Sequence, residues 1–126
     1  MEYQFHHLHV ICTDLEKMIN FFTKSLGGKL ISARKFGTAD GATLDLAGVP
    51  VYLRVARTGE EVATIKARSF YGYHHIGLKV KDVDAAYAEL TAQGYKFTAL
   101  PTASSAGGKT AFFEGPENLV FELVQG

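Results

Sequence analysis

Residues 71–82 read YGYHHIGLKVKD, and residues 4–14 read QFHHLHVICTD. Each stretch carries two adjacent histidines, then alternating apolar residues typical of a β-strand, then an aspartate suited to cap a helix. All five histidines of the chain lie in these two stretches, at His6, His7, His9, His74 and His75. The same sequence pattern therefore occurs twice, which indicates an internally duplicated fold.

The repeat extends beyond the histidines. A shift that brings His7 onto His75 also brings Asp14 onto Asp82 and Thr23 onto Thr91, without a gap. We predict an α+β fold built from two tandem βαβββ modules. The two modules leave one face of each sheet to curve round a shared cleft.

The repeat also sets the predicted domain boundaries. We expect one domain over residues 1–126, with the first module at residues 5–56 and the second at residues 71–126. Residues 57–70 are the expected connector, and residues 60–67 within it are a candidate for a short helix.

In the first module, the strand predicted at residues 7–12 places His7 and His9 on one face and its apolar residues, apart from Ile11, on the other. Thr13 or Asp14 then caps a helix. The helix carries one apolar stripe, formed by Leu15, Met18, Ile19, Phe22 and Leu26. We expect this stripe to cover the apolar strand face, which leaves the histidine face to other partners.

Besides the first strand of the second module, at residues 75–80, six further strands and a second helix complete the prediction. In the first module the strands lie at residues 29–35, 43–46 and 51–55, with a turn at residues 48–50. In the second module Asp82 caps a helix with the stripe Val83, Ala86, Tyr87 and Leu90. The strands that follow lie at residues 96–99, 110–114 and 119–124, and residues 102–109 form a loop of small residues.

Composition excludes several classes of function. The chain of 126 residues has 13 basic and 13 acidic side chains, which gives no electrostatic reason to expect nucleic acid or an anionic membrane as a partner. No apolar run approaches the roughly 20 residues of a spanning helix. The N-terminal residues do not form a secretory signal, and the single Cys12 rules out an intrachain disulfide. We therefore expect a soluble, cytoplasmic protein.

Three side chains form a candidate metal site. His7 and His75 occupy equivalent positions in the two modules, so both can reach one point near the axis that relates them. Glu122 lies in an otherwise apolar strand, and a carboxylate in such a place needs a partner such as a metal ion. Two neutral imidazoles and a carboxylate suit zinc, iron(II), manganese, cobalt or nickel.

The sequence resembles the vicinal oxygen chelate superfamily. This superfamily includes glyoxalase I, methylmalonyl-CoA epimerase, extradiol dioxygenases, fosfomycin-resistance transferases and metal-free bleomycin-binding proteins. The resemblance is carried by residues 7–15, 75–82 and 113–123. It implies a curved eight-stranded sheet around a cleft, a homodimer, and a metal bound by His7, His75 and Glu122, with ligands from one chain or from two.

The chain departs from glyoxalase I at one position. Members of that group have a fourth protein ligand in the last strand of the first module. Here that strand is residues 51–55, VYLRV, which contains no Glu, Gln or His. Either Tyr52 or Leu53 occupies the position, depending on the register of the strand.

Three functions are compatible with these residues. The first is a metal-dependent isomerase or lyase of the glyoxalase or epimerase type, in which His9 or a displaced Glu122 moves a proton and Tyr52 contacts a substrate oxygen. The second is an iron(II) extradiol-type dioxygenase, which the missing fourth ligand favours. The third is a metal-free drug-binding protein, against which the retained ligand set argues.

Overall fold

The chain folds into two compact units, Met1–Thr64 and Ile65–Gly126. The computed structural model describes residues 1–64, 69–105 and 107–126. Each unit contains the element order β-α-β-β-β and its own four-stranded sheet. The predicted α+β class with two tandem βαβββ modules is thus confirmed.

The first unit consists of one helical segment and four strands. Its elements are β1 at Leu8–Ile11, α1 at Leu15–Asn20, a π-helical continuation at Phe21–Ser25, β2 at Lys29–Phe36, β3 at Ala39–Leu46 and β4 at Val49–Arg54. The strands lie in the order β1-β4-β3-β2. β1 runs parallel to β4, and the other pairs are antiparallel.

The second unit repeats this arrangement. Its elements are β5 at Ile76–Lys79, α2 at Val83–Ala92, β6 at Lys96–Ala103, β7 at Lys109–Glu114, a 3-10 turn at Pro116–Asn118 and β8 at Val120–Gln125. The strand order is β5-β8-β7-β6, again with the first and last strands parallel. In both units the first strand therefore pairs directly with the last.

Both helices begin at the aspartates that the repeat singled out. Asp14 Oδ1 accepts a hydrogen bond from the backbone N–H of Lys17, and Asp82 Oδ1 accepts one from Ala85, each at 3.0 Å. Such a bond satisfies one of the backbone N–H groups that have no partner within the first turn of a helix. Of the two caps considered for α1, the structure uses Asp14 rather than Thr13.

One face of the first sheet is buried under α1 and its π-helical continuation. The largest fully buried side chains of this unit are Met18, Phe21, Phe22, Leu44, Val51 and Leu53. Phe21 was not part of the predicted stripe, because the wider π-helical turn brings two successive phenylalanines to the core. Thr23 Oγ1 donates to the carbonyl of Ile19 at 2.8 Å within this turn.

The second unit has an equivalent core beneath α2. Its buried side chains are Val83, Leu90, Ala111, Phe113, Phe121 and Leu123. Phe113 and Phe121 stack with ring centroids 5.2 Å apart. The predicted helix stripe is correct here, since Val83 and Leu90 are buried and Ala86 and Tyr87 are half-buried.

Three predicted boundaries were wrong. The turn before β4 lies at Ala47 and Gly48, whose φ angles are 51° and 89°, and the predicted turn residues 49 and 50 belong to the strand. The loop expected at residues 102–109 is shortened at both ends by β6 and β7, and its residue 106 lies outside the described residues. Residues 60–64 are not helical, and residues 65–67 of that predicted helix are also outside the described part.

No helix within the described residues is long and apolar enough to cross a membrane.

Substitution of Asp82 tests whether its side chain stabilises the start of α2. We expect Asp82→Ala to lower the free energy of unfolding by about 1 kcal/mol, because the N–H of Ala85 loses its acceptor. Asp82→Asn keeps an acceptor oxygen and is expected to retain most of the stability. Urea denaturation followed by circular dichroism measures both variants, and an equal loss in the two would contradict a hydrogen-bonded cap.

Candidate functional site

The two histidine pairs adopt the same geometry in the two units. His6 Nδ1 lies 2.8 Å from His7 Nδ1, and His74 Nδ1 lies 2.8 Å from His75 Nδ1. The ring centroids are 5.1 Å apart in each pair, with interplanar angles of 85° and 84°. The first histidine of each pair thus holds the ring of the second in one orientation.

This bond limits the tautomers of the second histidine. Between two Nδ1 atoms, one nitrogen must carry the proton and the other must accept it. When His75 carries the proton on Nδ1, its Nε2 keeps a free lone pair. His74 then carries its own proton on Nε2, which lies 3.3 Å from Ser69 Oγ. The arrangement suits an imidazole that binds a cation through Nε2.

His75 faces a carboxylate across the second sheet. Its Nε2 lies 3.3 Å from Glu122 Oε1, and the two side chains are 31% and 24% exposed. The parallel register of β5 and β8, in which Gly77 pairs with Glu122, produces this proximity. Phe112, paired with Glu122 from β7, lies edge-on to the His75 ring at 5.1 Å. The two predicted ligands of the second module are therefore adjacent.

Tyr52 occupies the equivalent of the Glu122 position in the first unit. β1 and β4 pair His9 with Tyr52, as β5 and β8 pair Gly77 with Glu122. Tyr52 stacks on His7 with ring centroids 4.1 Å apart and an interplanar angle of 19°. Leu53 is fully buried on the helix side of the sheet. The register thus assigns Tyr52, not Leu53, to the position of the missing fourth ligand.

The donor set fits a divalent metal in its chemistry. His75 and Glu122 together offer an imidazole nitrogen and a carboxylate oxygen on one face of the second sheet. His7, the third predicted ligand, lies in the first unit and has its Nδ1 bound to His6 in the same way. Among the described residues there is no group of three or more His, Cys, Asp or Glu side chains that could hold a metal ion. Of the three predicted ligands, the structure thus brings His75 and Glu122 together, both in the second unit.

His9 lies among aromatic rings on the same sheet face as Tyr52. Its ring centroid is 4.9 Å from Phe36 and 5.9 Å from Tyr52. Burial, reinforced by the positive charges of Arg54 and other neighbouring cations, lowers the pKa of His9 below its usual value. The imidazole is therefore neutral near pH 7 and can accept a proton.

Two arginines of this face were missed by the sequence analysis. Arg34 holds its guanidinium carbon 4.2 Å above the ring centroid of Phe36 and 5.7 Å from that of Tyr52. Arg54, at the end of β4, is 6% exposed and thus buried. The alternation of β2 could have shown that Arg34 and Phe36 share a face, because they are two residues apart in one strand.

Arg54 is neutralised by Glu60. The guanidinium donates to both carboxylate oxygens of Glu60, at 2.7 and 2.9 Å, and the backbone N–H of Arg57 donates to the same carboxylate at 2.9 Å. These hydrogen bonds lower the pKa of Glu60 from 4.5 to about 2, and the bond from Arg54 has a larger effect than the bond from Arg57. This paired interaction secures the chain just after β4.

Comparisons with known proteins agree with this architecture. Residues 4–123 match the family model described as the Glyoxalase/Bleomycin resistance protein/Dioxygenase superfamily. An uncharacterized protein of Bacillus subtilis, YwkD, is 26% identical over 121 residues, which covers 95% of this chain and 94% of that protein.

Solved structures share the fold at low sequence identity. A glyoxylase/bleomycin resistance protein/dioxygenase domain from Frankia superposes with a TM-score of 0.80 at 20% identity, covering 100% of this chain and 99% of that one. A fosfomycin resistance protein from Listeria monocytogenes, solved with Mn(II) and dihydroxypropylphosphonic acid, gives a TM-score of 0.77 at 20% identity, with 100% and 94% covered. A family protein from Sphaerobacter thermophilus gives 0.74 at 25% identity, with 99% and 98% covered.

The Arg54–Glu60 pair predicts a pH-dependent contribution to stability. Because the pKa of Glu60 falls from 4.5 to about 2 on folding, the pair stabilises the protein fully above pH 4.5, and this contribution is lost as the pH falls towards 2. We expect Glu60→Gln to be less stable than wild type at neutral pH, with a difference that shrinks over this acidic range.

Urea denaturation at a series of pH values measures this difference. Glu61→Gln is the matched control, since it removes one carboxylate from the neighbouring exposed position, and its stability should follow that of wild type. A difference between wild type and Glu60→Gln that stays constant from neutral to acidic pH would contradict the assignment.

Proposed function

This chain belongs to the Glyoxalase/Bleomycin resistance protein/Dioxygenase superfamily, and from that premise we propose that it is a divalent-metal-dependent enzyme. Its substrate is a small molecule bound through two neighbouring oxygens, and its reaction is an isomerase or lyase reaction of the glyoxalase or epimerase type. The observation that carries the proposal is the His75–Glu122 pair, whose facing atoms lie 3.3 Å apart.

The proposed ligands are His7, His75 and Glu122. The pair in the second unit supplies two of them, and His7 supplies the third from the repeat-equivalent position of the first unit, either in the same chain or in a second copy of a homodimer. The donor set is compatible with zinc, iron(II), manganese, cobalt and nickel. The repeated Nδ1–Nδ1 contact supports the choice of His7 and His75, because it leaves Nε2 of each available.

His6 and His74 act as positioning residues in this proposal. A histidine that binds a metal through one nitrogen usually hydrogen-bonds through the other, and this second bond fixes both the tautomer and the ring orientation. His74 does this for His75 and is itself in contact with Ser69.

The remaining groups of the first unit supply the proton chemistry. A divalent cation held by the proposed ligands would supply Lewis acidity towards the two substrate oxygens. His9, neutral because its pKa is lowered, accepts the proton from the carbon beside those oxygens. Tyr52 donates its phenolic O–H to a substrate oxygen, and its stacking on His7 fixes the ring. Glu122 is the alternative base in this proposal.

Iron(II)-dependent ring cleavage is the second candidate function. The observation that favours it is Tyr52 at the place of a fourth protein ligand, because the remaining set of two histidines and one carboxylate is the donor set that would suit a non-haem iron(II) oxygenase. Anaerobic loading with iron(II), followed by oxygen uptake with catechols, separates the two candidates. If the protein is an isomerase or lyase, oxygen uptake by the iron-loaded protein should not exceed that of protein without iron. Rapid oxygen uptake would instead identify the protein as a dioxygenase.

The proposed metal site predicts that substitutions of the ligands weaken metal binding more than substitution of a positioning residue. Wild type should bind about one divalent ion per site, and His7→Ala, His75→Ala and Glu122→Ala should each abolish stoichiometric binding. His74→Ala should retain the site with an affinity lower by roughly 10- to 100-fold, because the ring of His75 loses its orienting bond. Elemental analysis after dialysis and calorimetric titration measure both effects.

His9→Ala is the matched control for these substitutions. It removes an imidazole from the same strand face without removing a proposed ligand, so metal stoichiometry should remain at the wild-type level. Absence of stoichiometric metal from wild type under every loading condition would refute the enzyme proposal. Tight binding of a drug-like ligand that a chelator leaves unchanged would then favour a metal-free binding protein.

A further inference from the structure

The sheet face of the first unit that lies opposite α1 carries an arginine with no evident structural task. In the register, Arg34 of β2 pairs with Gly41 of β3, and Gly41 pairs with Arg54 of β4. Residues paired directly across a sheet share one face. Arg34 therefore lies on the face that also presents His9 and Tyr52, and it is exposed at its surface.

Aromatic rings hold the Arg34 guanidinium in place. Its Cζ lies 4.2 Å from the Phe36 centroid and 5.7 Å from the Tyr52 centroid, within the range of a cation–π contact. Gly41 permits this arrangement, because a Cβ at that position would lie 2.5 Å from Cδ2 of Phe36. The missing side chain leaves room for the Phe36 ring, which is only 9% exposed.

The other two arginines near this face donate hydrogen bonds to protein acceptors. Arg54 donates to Glu60, and Arg57 donates through Nε to the carbonyl of Phe36. Across the parts of the chain that the structure describes, no carboxylate pairs with Arg34. A planar donor that is already held in position loses less entropy when it binds a carboxylate or a phosphate.

The internal repeat shows that the fold does not require this charge. The register of β6, β7 and β8 pairs Thr102 with Thr110 and Thr110 with Val124. These three residues occupy the places that Arg34, Gly41 and Arg54 hold in the first unit. The second sheet forms the same architecture with neutral side chains in this row, so the arginine belongs to function rather than to folding.

We propose that Arg34 is the specificity-determining residue that binds an anionic oxygen group of the substrate, a carboxylate or a phosphate. The substrate class is then a small molecule that carries two neighbouring oxygens for the cation and a separate anionic group for Arg34. This inference rests on the proposed function, because it assigns the substrate class of that same site.

Two pairs of small molecules test the proposal. Dihydroxyacetone phosphate and dihydroxyacetone share a hydroxyketone and differ in a phosphate, whereas malate and lactate share a hydroxycarboxylate and differ in a second carboxylate. Calorimetric titration of the metal-loaded protein measures the affinity for each. Wild type should bind the member with the additional anionic group about tenfold more tightly than its partner in at least one pair, as expected for one charge-assisted contact.

The variants assign this preference to a residue. Arg34→Gln should abolish it, and Arg34→Lys should weaken it, since lysine keeps the charge but loses the planar fork. Lys35→Gln is the matched control, because Lys35 is the next residue of β2, and it forms only an exposed ion pair with Asp40. A preference for dihydroxyacetone phosphate over dihydroxyacetone, without one for malate over lactate, identifies a phosphate substrate. The reverse result identifies a substrate with a carboxylate at this place.

Three results would overturn the proposal: equal affinity for both members of each pair in wild type, a preference retained by Arg34→Gln, or an equal loss in Lys35→Gln. The same titrations with a chelator separate this inference from the proposed function. A protein that binds no metal but shows an Arg34-dependent preference refutes the metal enzyme alone. A protein that binds metal without that preference refutes the role of Arg34 alone.

Discussion

The parallel pairing of the first strand with the last strand of each unit is the constraint on which the candidate site depends. In the second unit this register aligns Gly77 with Glu122, which brings the carboxylate to 3.3 Å from the His75 ring two residues earlier. In the first unit the same register aligns His9 with Tyr52, which stacks on His7. Because side chains alternate across a strand, a slip of one residue would exchange Glu122 for a core residue such as Leu123.

Duplication preserved the geometry of the two units while their chemistry diverged. Both units keep the aspartate cap, the buried helix stripe and the Nδ1–Nδ1 contact between adjacent histidines. They differ where the last strand meets the histidine, with Tyr52 in one and Glu122 in the other. The two units also differ in the charge of one sheet face. Arg34 and Arg54 lie on this face of the first sheet, and the equivalent positions of the second sheet hold neutral side chains. In the proposed enzyme, the second unit thus supplies two of the three cation ligands, and the first unit supplies the third together with the groups that contact the substrate.

The sequence predicted the fold where local patterns and tertiary structure agree. The repeat, the caps at Asp14 and Asp82 and the α2 stripe all follow from short-range periodicity, and the structure confirms them. Other features depend on contacts between distant residues and were missed. The register that selects Tyr52 over Leu53 is set by pairing with β1, and the burial of Arg54 is set by Glu60 in a loop. The π-helical turn at Phe21–Ser25 changes the period of the helix, so a regular stripe could not include Phe21.

The most direct test of the account is an anomalous difference map from crystals of the protein soaked with manganese(II). The account predicts one strong peak within coordination distance of the Nε2 atoms of His75 and His7 and of a carboxylate oxygen of Glu122, with His7 contributed by the same chain or by a second copy. A peak bound by His75 and Glu122 without any His7, or the absence of a peak at this pair, would contradict it.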